Sequence, residues 1–303
     1  MTEMPEHDTQ HLPFPVDDST RIWLAKHGFE SLRCCALIGS GHHECYLLTS
    51  TSGKKIVVKS TGDLSGKPLS AEADGLKLIA ATHTIQTPSI RYVGRQCLII
   101  DYIEESSLQT DYWKKLAEKM AALHSIAAPE QHNLQPLYGL EEDNFCGATK
   151  QPNGWYEDGH DLFVENRLLF QARLAHDSGL LESPWVISIE SICERLPELI
   201  PWQQSSLLHG DFWPGNILAD ERGDPVVIDP AVYYGWREAD IAMSLLFGGL
   251  PHEFYATYDE IWPMENGWRN RVPLYNLYHL MNHLNIFGVS YLEQVEQTIS
   301  RYA

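Results

Sequence analysis

The stretch His209-Gly210-Asp211-Phe212-Trp213-Pro214-Gly215-Asn216, with Asp229 thirteen residues beyond its end, decides the fold of this chain. Asp211 is able to accept a proton from a hydroxyl group, and Asn216 and Asp229 offer the oxygen ligands that magnesium prefers. The apolar run Val226-Val227-Ile228 comes directly before Asp229, which predicts that a strand delivers this carboxylate. An acid, a carboxamide and a second acid in this order suit phosphoryl transfer to a hydroxyl.

The spacing between Asp211 and Asn216 is five positions, as in the protein-kinase catalytic loop H-R-D-x-x-x-x-N. Gly210 stands where protein kinases have arginine, and Pro230 follows Asp229 where they have D-F-G. An isolated Asp and Asn at this spacing more often form a turn or a helix cap. The prediction of a catalytic loop therefore depends on finding the other parts of a nucleotide site.

One such part lies upstream, where Lys59 closes the strand-like run Lys55-Ile56-Val57-Val58-Lys59. Glu72 follows thirteen residues later, and the apolar Leu76 and Ile79 come four and seven positions after it. This periodicity predicts that Glu72 lies on the inward face of a helix. Taken singly, a surface lysine and a solvated glutamate are the commoner explanation. Their order relative to Asp211 favours an ion pair that directs Lys59 towards nucleotide phosphates.

Two backbone segments are candidates for further nucleotide contacts. Gly39 and Gly41 flank Ser40 between two apolar runs, and glycine lets backbone N–H groups approach phosphates closely. An ordinary glycine turn explains this segment nearly as well. Asp101-Tyr102-Ile103 ends a strand-like run and leads into polar residues, so we expect a linker whose backbone binds an adenine edge.

The order of elements predicts an α+β protein with two lobes. Strand-like runs at 33–38, 44–50, 55–59, 89–93 and 96–103, with helices at 18–29 and 69–81, indicate a small sheet with one main helix packed on it. Beyond residue 109 the pattern is mainly helical, with a long loop expected at 134–159 and helices at 160–178, 184–198, 237–247, 251–260 and 268–288. We assign residues 1–103 to a nucleotide-binding lobe and 104–303 to a catalytic and substrate-binding lobe.

Composition excludes several classes of protein. A net charge of −19 argues against a nucleic-acid-binding surface and suits a cationic or amine-bearing substrate. No apolar stretch approaches 18 residues, and Met1 to Asp18 lacks the features of a signal peptide, so we expect no membrane association. The six cysteines form no C-x-x-C pair, which indicates reduced thiols in a cytoplasmic protein. His279 and His283, one helical turn apart, suit packing or substrate contact better than a metal.

Five segments together resemble the fructosamine kinase family, also called ketosamine 3-kinases. They are Leu207 to Asn216, Ile228 to Glu238, Phe247-Gly248-Gly249, Tyr275 to Asn285, and Asn153-Gly154-Trp155. The resemblance runs from about residue 20 to the C-terminus, and the second segment is the most specific. It implies a two-lobed protein-kinase-like fold shared with aminoglycoside phosphotransferases, with an antiparallel sheet in the first lobe. It also implies ATP and Mg²⁺ as cofactors and phosphorylation of a sugar hydroxyl on a fructosamine or ribulosamine.

In this interpretation Asp211 is the catalytic base, and Asn216 and Asp229 hold magnesium. Lys59 contacts the nucleotide phosphates and is held in place by Glu72. Contact with a small-molecule or glycated-amine substrate is assigned to Trp213, Trp155 and His279, although Trp213 is almost as readily explained as a packing residue. Two alternatives stay open: a kinase of this fold that acts on an aminoglycoside or choline, and an inactive module that binds nucleotide or sugar amine. We expect a monomer or a weak homodimer.

The family often carries a cysteine beside the glycine turn, linked to redox-controlled dimers. Counting back from Lys59, that position is His42 in this chain. We therefore expect no redox switch here.

Overall fold

The computed structural model describes residues 7–8, 12–40, 43–129 and 137–303. The strands of the first lobe are β1 (His7–Asp8), β2 (Ser31–Ser40), β3 (Glu44–Ser50), β4 (Lys55–Ser60), β5 (Ile90–Val93) and β6 (Cys97–Asp101). Its helices are α1 (Asp18–Lys26) and α2 (Lys67–Ala81).

The second lobe is mainly helical. Its helices are α3 (Tyr112–His124), α4 (Gly159–Phe163), α5 (Leu169–Asp177), α6 (Ser183–Glu194), α7 (Leu196–Leu199), α8 (Arg237–Leu246), α9 (His252–Ile261), α10 (Trp268–Phe287) and α11 (Leu292–Tyr302). Its strands are β7 (Tyr138–Leu140), β8 (Asn144–Cys146), β9 (Thr149–Gln151), β10 (Gly154–Tyr156), β11 (Ser205–Leu208), β12 (Ile217–Ala219), β13 (Pro225–Val227) and β14 (Tyr233–Trp236).

The sheet of the first lobe has the strand order β1-β2-β3-β4-β6-β5, and every pair in it is antiparallel. In β4 the residues from Ile56 to Ser60 are all buried. Ile56 and Val58 join an apolar cluster with Phe14 and Leu24, whereas Val57 joins a second cluster with residues of α2. The two clusters cover both faces of β4, which agrees with the apolar residues along most of the strand. Lys59, near its end, is therefore held in a buried position.

Helix α2 begins after Gly66 with Pro68 in its first turn, where a missing N–H costs no hydrogen bond. Its buried apolar residues recur at three- and four-residue intervals: Leu69, Ala73, Leu76 and Ile79. Glu72 lies within this stripe, so the helix directs its carboxylate towards the sheet.

Helix α10 forms the centre of the second lobe and packs against α5, α8 and α11, while α3 packs against α9. A four-stranded sheet, β10-β7-β14-β11, lies beside these helices, and β12 pairs with β13 in a hairpin. In that hairpin Ile217 lies opposite Val227, and the N–H of Ile228 donates to the carbonyl of Asn216 at 3.1 Å. This register brings Asn216 close to Asp229.

The structure differs from the sequence predictions mainly in the second lobe. The expected loop at 134–159 was wrong within its described part, which contains the four strands β7 to β10. Each of these strands has three residues, too few to show an alternating pattern. The helix expected at 160–178 is interrupted by a π-helical turn, Val164–Leu168, and the strand expected to reach residue 103 ends at Asp101. The lobe boundary after residue 103 stays a prediction.

Among the described residues, no helix combines the length and the apolar character needed to cross a bilayer.

Candidate active site

The loop that follows β11 is anchored by a buried carboxylate on α8. The backbone N–H groups of His209 and Gly210 donate to Asp240 Oδ2 and Oδ1 at 2.7 and 2.9 Å, and His124 Nε2 lies 3.1 Å from Oδ2. Burial alone would raise the pKa of Asp240, but the bonds from His124 and from the loop amide outweigh it and lower this pKa. Asp240 therefore stays ionised and fixes the start of the loop.

Gly210 is required by this arrangement. Its φ angle is 81°, in the left-handed region, and a Cβ atom at this position would lie 1.9 Å from the carbonyl oxygen of Ala231. Any side chain would therefore push apart the two segments that carry Asp211 and Asp229.

His209 connects the same two segments. Its Nδ1 accepts a hydrogen bond from the N–H of Asp211 at 3.3 Å, and its Nε2 lies 3.0 Å from the carbonyl oxygen of Ile228. Since Nδ1 is an acceptor here, Nε2 carries the proton and donates it to that carbonyl. Burial lowers the pKa of His209, which agrees with a neutral ring. The imidazole thus ties the residue before Asp229 to the catalytic loop.

Asp211 lies at the centre of the site and is partly buried. Asn216 Nδ2 donates to its carboxylate Oδ2 at 3.0 Å and to its carbonyl oxygen at 2.9 Å. Burial raises the pKa of Asp211 to about 7 and outweighs the bond from Asn216, which lowers this pKa; the charges of Asp229 and Asp240 add to the rise. A carboxylate with a pKa near neutrality is well suited to accept a hydroxyl proton.

Lys59 reaches the site from the first lobe. Its Nζ donates to Glu72 Oε1 at 2.6 Å and also to Asp229 Oδ1. Burial alone would lower the pKa of Lys59, but the charges of Asp229 and Glu72 outweigh it and raise this pKa, so the ammonium group is retained. Asp229 follows the end of β13 with a φ of 56°, a left-handed conformation that turns the chain sharply at this residue.

These groups surround one cavity of about 590 Å³ between the lobes. Of the residues that the sequence assigns to the site, those that line it are Gly39, Lys59, Glu72, Asp211, Trp213, Asn216 and Asp229. Its volume is in the range of pockets that bind small molecules. Gly41 lies outside the described residues.

The other assigned residues lie elsewhere. Asp101 holds Arg91 through two hydrogen bonds of 2.5 and 2.7 Å, and the ring of Tyr102 lies beneath Lys55 Nζ at 5.1 Å. Ile103 follows β6 in a segment without regular structure. Nucleotide contacts for these three residues stay predictions.

Trp155 and His279 are not among the residues that line the cavity. Trp155 Nε1 donates to Glu141 Oε2 at 2.7 Å, and its ring lies 5.9 Å from that of Tyr234. His279 is buried behind the cavity, where desolvation lowers its pKa to about 3 and keeps the ring neutral. Substrate contacts for both residues stay predictions.

Trp213 belongs to a row of aromatic rings, here called the aromatic wall, which comprises Trp213, Phe247, His283, Phe287 and Tyr291. Phe247 lies 5.4 Å from Trp213 and 5.2 Å from His283, which stacks on Phe287 at 5.5 Å and on Tyr291 at 5.0 Å. Trp213, His283 and Phe287 line the cavity, and Phe287 is 57% exposed. The wall offers an apolar surface beside Asp211, and of its members sequence reasoning named only Trp213 and His283 as candidates for substrate contact.

Sequence reasoning also missed Asp240, His124 and Arg167. Arg167 is fully buried, lies 4.1 Å from the ring centre of Tyr233, and donates from Nη2 to Asn153 Oδ1 at 2.9 Å. The only signal for Asp240 in the sequence is an acidic residue within the apolar run Ala239-Asp240-Ile241-Ala242-Met243. A charge in such a run is retained where it has partners.

Comparison with known proteins agrees with the site. A family model described as fructosamine kinase matches residues 25–303. A probable ketoamine kinase from Synechocystis sp. is 37% identical over 253 residues, which cover 82% of this chain and 83% of the relative. A chloroplastic protein-ribulosamine 3-kinase from Oryza sativa subsp. japonica is 32% identical over 303 residues, which cover 94% of this chain and 84% of the relative.

Solved structures show the same fold. The crystal structure of a candidate fructosamine-3-kinase from Haemophilus somnus gives a TM-score of 0.83 at 28% identity, covering 93% of this chain and 96% of that one. An ADP-bound aminoglycoside phosphotransferase gives 0.60 at 17% identity over 94% and 97% of the two chains, which bears on the fold alone. The two-lobed, protein-kinase-like fold is thereby confirmed. The chain belongs to the fructosamine kinase family and is an ATP-dependent phosphotransferase.

Proposed function

We propose that this protein transfers the γ-phosphoryl group of ATP to a sugar hydroxyl of a ketosamine, of the fructosamine or ribulosamine type. The observation that carries the proposal is the convergence of Asp211, Asn216, Asp229 and Lys59 on one cavity that is also bounded by the aromatic wall. The names of the relatives, ketoamine kinase and ribulosamine 3-kinase, support this class of acceptor.

The nucleotide end of the cavity is formed by the first lobe. Lys59, paired with Glu72, is assigned to the phosphates, together with the backbone at Gly39 and the neighbouring Gly41. The segment Asp101-Tyr102-Ile103 connects β6 to the second lobe and is assigned to the adenine.

The residues between the lobes fit magnesium. Asp229 offers a carboxylate, and Asn216 offers its Oδ1, because its Nδ2 donates to Asp211. This all-oxygen donor set suits a hard cation. Magnesium would neutralise charge on the phosphates. Lys59 donates to Asp229 in this structure, and with nucleotide bound it would share its positive charge between that carboxylate and the phosphates.

Asp211 is assigned to orient the acceptor hydroxyl and to take up its proton. Its elevated pKa makes it a stronger base than an exposed carboxylate, while Asn216 keeps its carboxylate oriented. Phosphoryl transfer requires little covalent chemistry from the protein. Positioning of the substrates and neutralisation of their charge therefore account for most of the rate acceleration. The aromatic wall would take the apolar face of the sugar or the amine substituent, and the net charge of −19 favours a cationic acceptor.

The test is ATP consumption with two panels of acceptors under the same conditions. One panel contains fructosamine and ribulosamine derivatives of lysine, and the other contains aminoglycosides and choline. We expect turnover with the ketosamines and its loss in Asp211→Asn. Turnover confined to the second panel would overturn the assignment of the acceptor, and no turnover with either panel would favour a module that only binds nucleotide or sugar amine.

The remaining expectations about partners also stay proposals: a small-molecule or glycated-amine partner, no nucleic acid or membrane, a monomer or weak homodimer, and a cytoplasmic location.

A further inference from the structure

Three side chains that are able to bind a transition-metal ion meet beside the aromatic wall. Cys146 ends β8, Asp211 lies in the catalytic loop, and His279 lies on α10. Each presents one ligand atom, and the three atoms lie within 4.8 Å of one another. Cys146 and Asp211 both line the cavity, so an ion would enter from there.

His279 supplies an independent sign of a ligand. Its side chain is 4% exposed, and its Nδ1 is buried without a hydrogen-bond partner among the described residues. A buried polar atom left without a partner costs free energy, and such atoms are uncommon in native proteins. Coordination of a metal ion through Nδ1 would give this buried nitrogen a partner.

We propose that Cys146, Asp211 and His279 form a zinc-binding site that blocks the catalytic base. Thiolate, imidazole and carboxylate are the donors that zinc prefers, whereas magnesium prefers oxygen ligands alone. Tetrahedral zinc, with bonds of about 2.0–2.3 Å, needs ligand atoms about 3.3–3.7 Å apart, so the side chains would move by about 1 Å. On binding, the thiol proton of Cys146 passes to solvent and its sulfur bonds to zinc. Solvent takes the fourth position.

The binding step is tested without any turnover. Protein kept reduced with a phosphine is titrated with Co²⁺, and the thiolate-to-cobalt absorption is recorded before and after Zn²⁺ is added. We expect a 1:1 band that zinc abolishes. Cys146→Ser should lose the band, His279→Gln should weaken cobalt affinity by at least about tenfold, and Cys45→Ser should change neither. Cys45 is the matched control because its thiol lines the same cavity.

No cobalt band in the wild-type protein would overturn the proposal even if a variant failed to fold. A band that persists in Cys146→Ser would overturn it as well.

The inhibitory effect rests on the role proposed for Asp211. Zinc is added to the kinase assay with magnesium in large excess, so that the nucleotide stays in its magnesium form. We expect turnover to fall when zinc is added and to return when zinc is chelated. Inhibition of Cys146→Ser should need at least about tenfold more zinc than inhibition of the wild type. Full turnover with zinc bound at the three ligands would overturn the inhibition, whereas absence of any kinase activity would count against the proposed function and leave the cobalt result intact.

Discussion

Replacing Asp211 with asparagine should remove catalysis and, at the same time, make the protein more stable. The pKa of this carboxyl group rises from 3.8 to about 7 on folding, chiefly because the group is buried. A buried group with a raised pKa contributes most to stability at low pH, and that contribution is lost as the pH rises through the folded pKa. Ionised Asp211 is therefore a cost to folding at pH 8, and the asparagine side chain of the variant keeps the shape without the charge.

The size of the effect follows from linkage. A rise of about three pKa units corresponds to about 4 kcal/mol at pH 8 and about 1.7 kcal/mol at pH 5. Because Asp211 is only partly buried, solvent screening should reduce these figures by about half. We therefore expect Asp211→Asn to stabilise the fold by about 2 kcal/mol at pH 8 and by about 1 kcal/mol at pH 5.

The midpoint of urea unfolding, followed by tryptophan fluorescence at both pH values, measures this difference. Asp229→Asn is the matched control, since it makes the same chemical change at a carboxylate that accepts from buried Lys59. It should lower the midpoint, because buried Lys59 then loses one of the two carboxylates that balance its charge. A midpoint for Asp211→Asn at or below that of the wild type at pH 8, or a gain that does not change with pH, would refute the reasoning.

Four further outcomes are expected. The kcat/KM for magnesium-ATP should fall about tenfold per pH unit below about pH 7, since Asp211 must be ionised; a flat profile down to pH 5 would remove it as the base. Asp229→Ala should weaken binding of magnesium-ATP as well as turnover, measured by calorimetry with and without magnesium; unchanged affinity in magnesium would contradict its role as a ligand. Trp213→Ala should raise the KM of the acceptor by about 2- to 30-fold with little change for ATP; equal changes in both would make it a packing residue. Burial raises the pKa of Cys45 to about 11, so peroxide should leave activity unchanged and produce no disulfide-linked dimer on non-reducing gels; a dimer reversed by dithiothreitol would contradict this.

The sequence predicts those site residues that can be recognised from their order and spacing along the chain. Five residues were identified because strand, helix and loop patterns place them in the order that a kinase nucleotide site requires: Lys59, Glu72, Asp211, Asn216 and Asp229. The structure brings all five to one cavity. Local patterns are sufficient to find these residues, because each lies in or next to a strand or helix whose apolar residues can be recognised in the sequence.

The supporting residues could not be found in the same way. Asp240 and His124 are 116 positions apart, and their side chains meet because α3 and α8 both pack against β11. Arg167 is directed into the core by a π-helical turn, which no apolar periodicity signals. Cys146 is on a strand of three residues, too short to predict. Long-range partners of buried polar groups are properties of the packing and not of any local pattern.

The anchor at Asp240 also bears on how the enzyme is controlled. In protein kinases an arginine before the catalytic aspartate can pair with a phosphorylated loop, but Gly210 occupies that position and has no room for a Cβ atom. The loop is held instead by an internal carboxylate that is 1% exposed and receives two backbone N–H groups and His124. Such an anchor is present whenever the second lobe is folded. The arginine-dependent control by a phosphorylated loop that protein kinases use therefore has no counterpart at Gly210, and the internal carboxylate takes over the task of holding the loop.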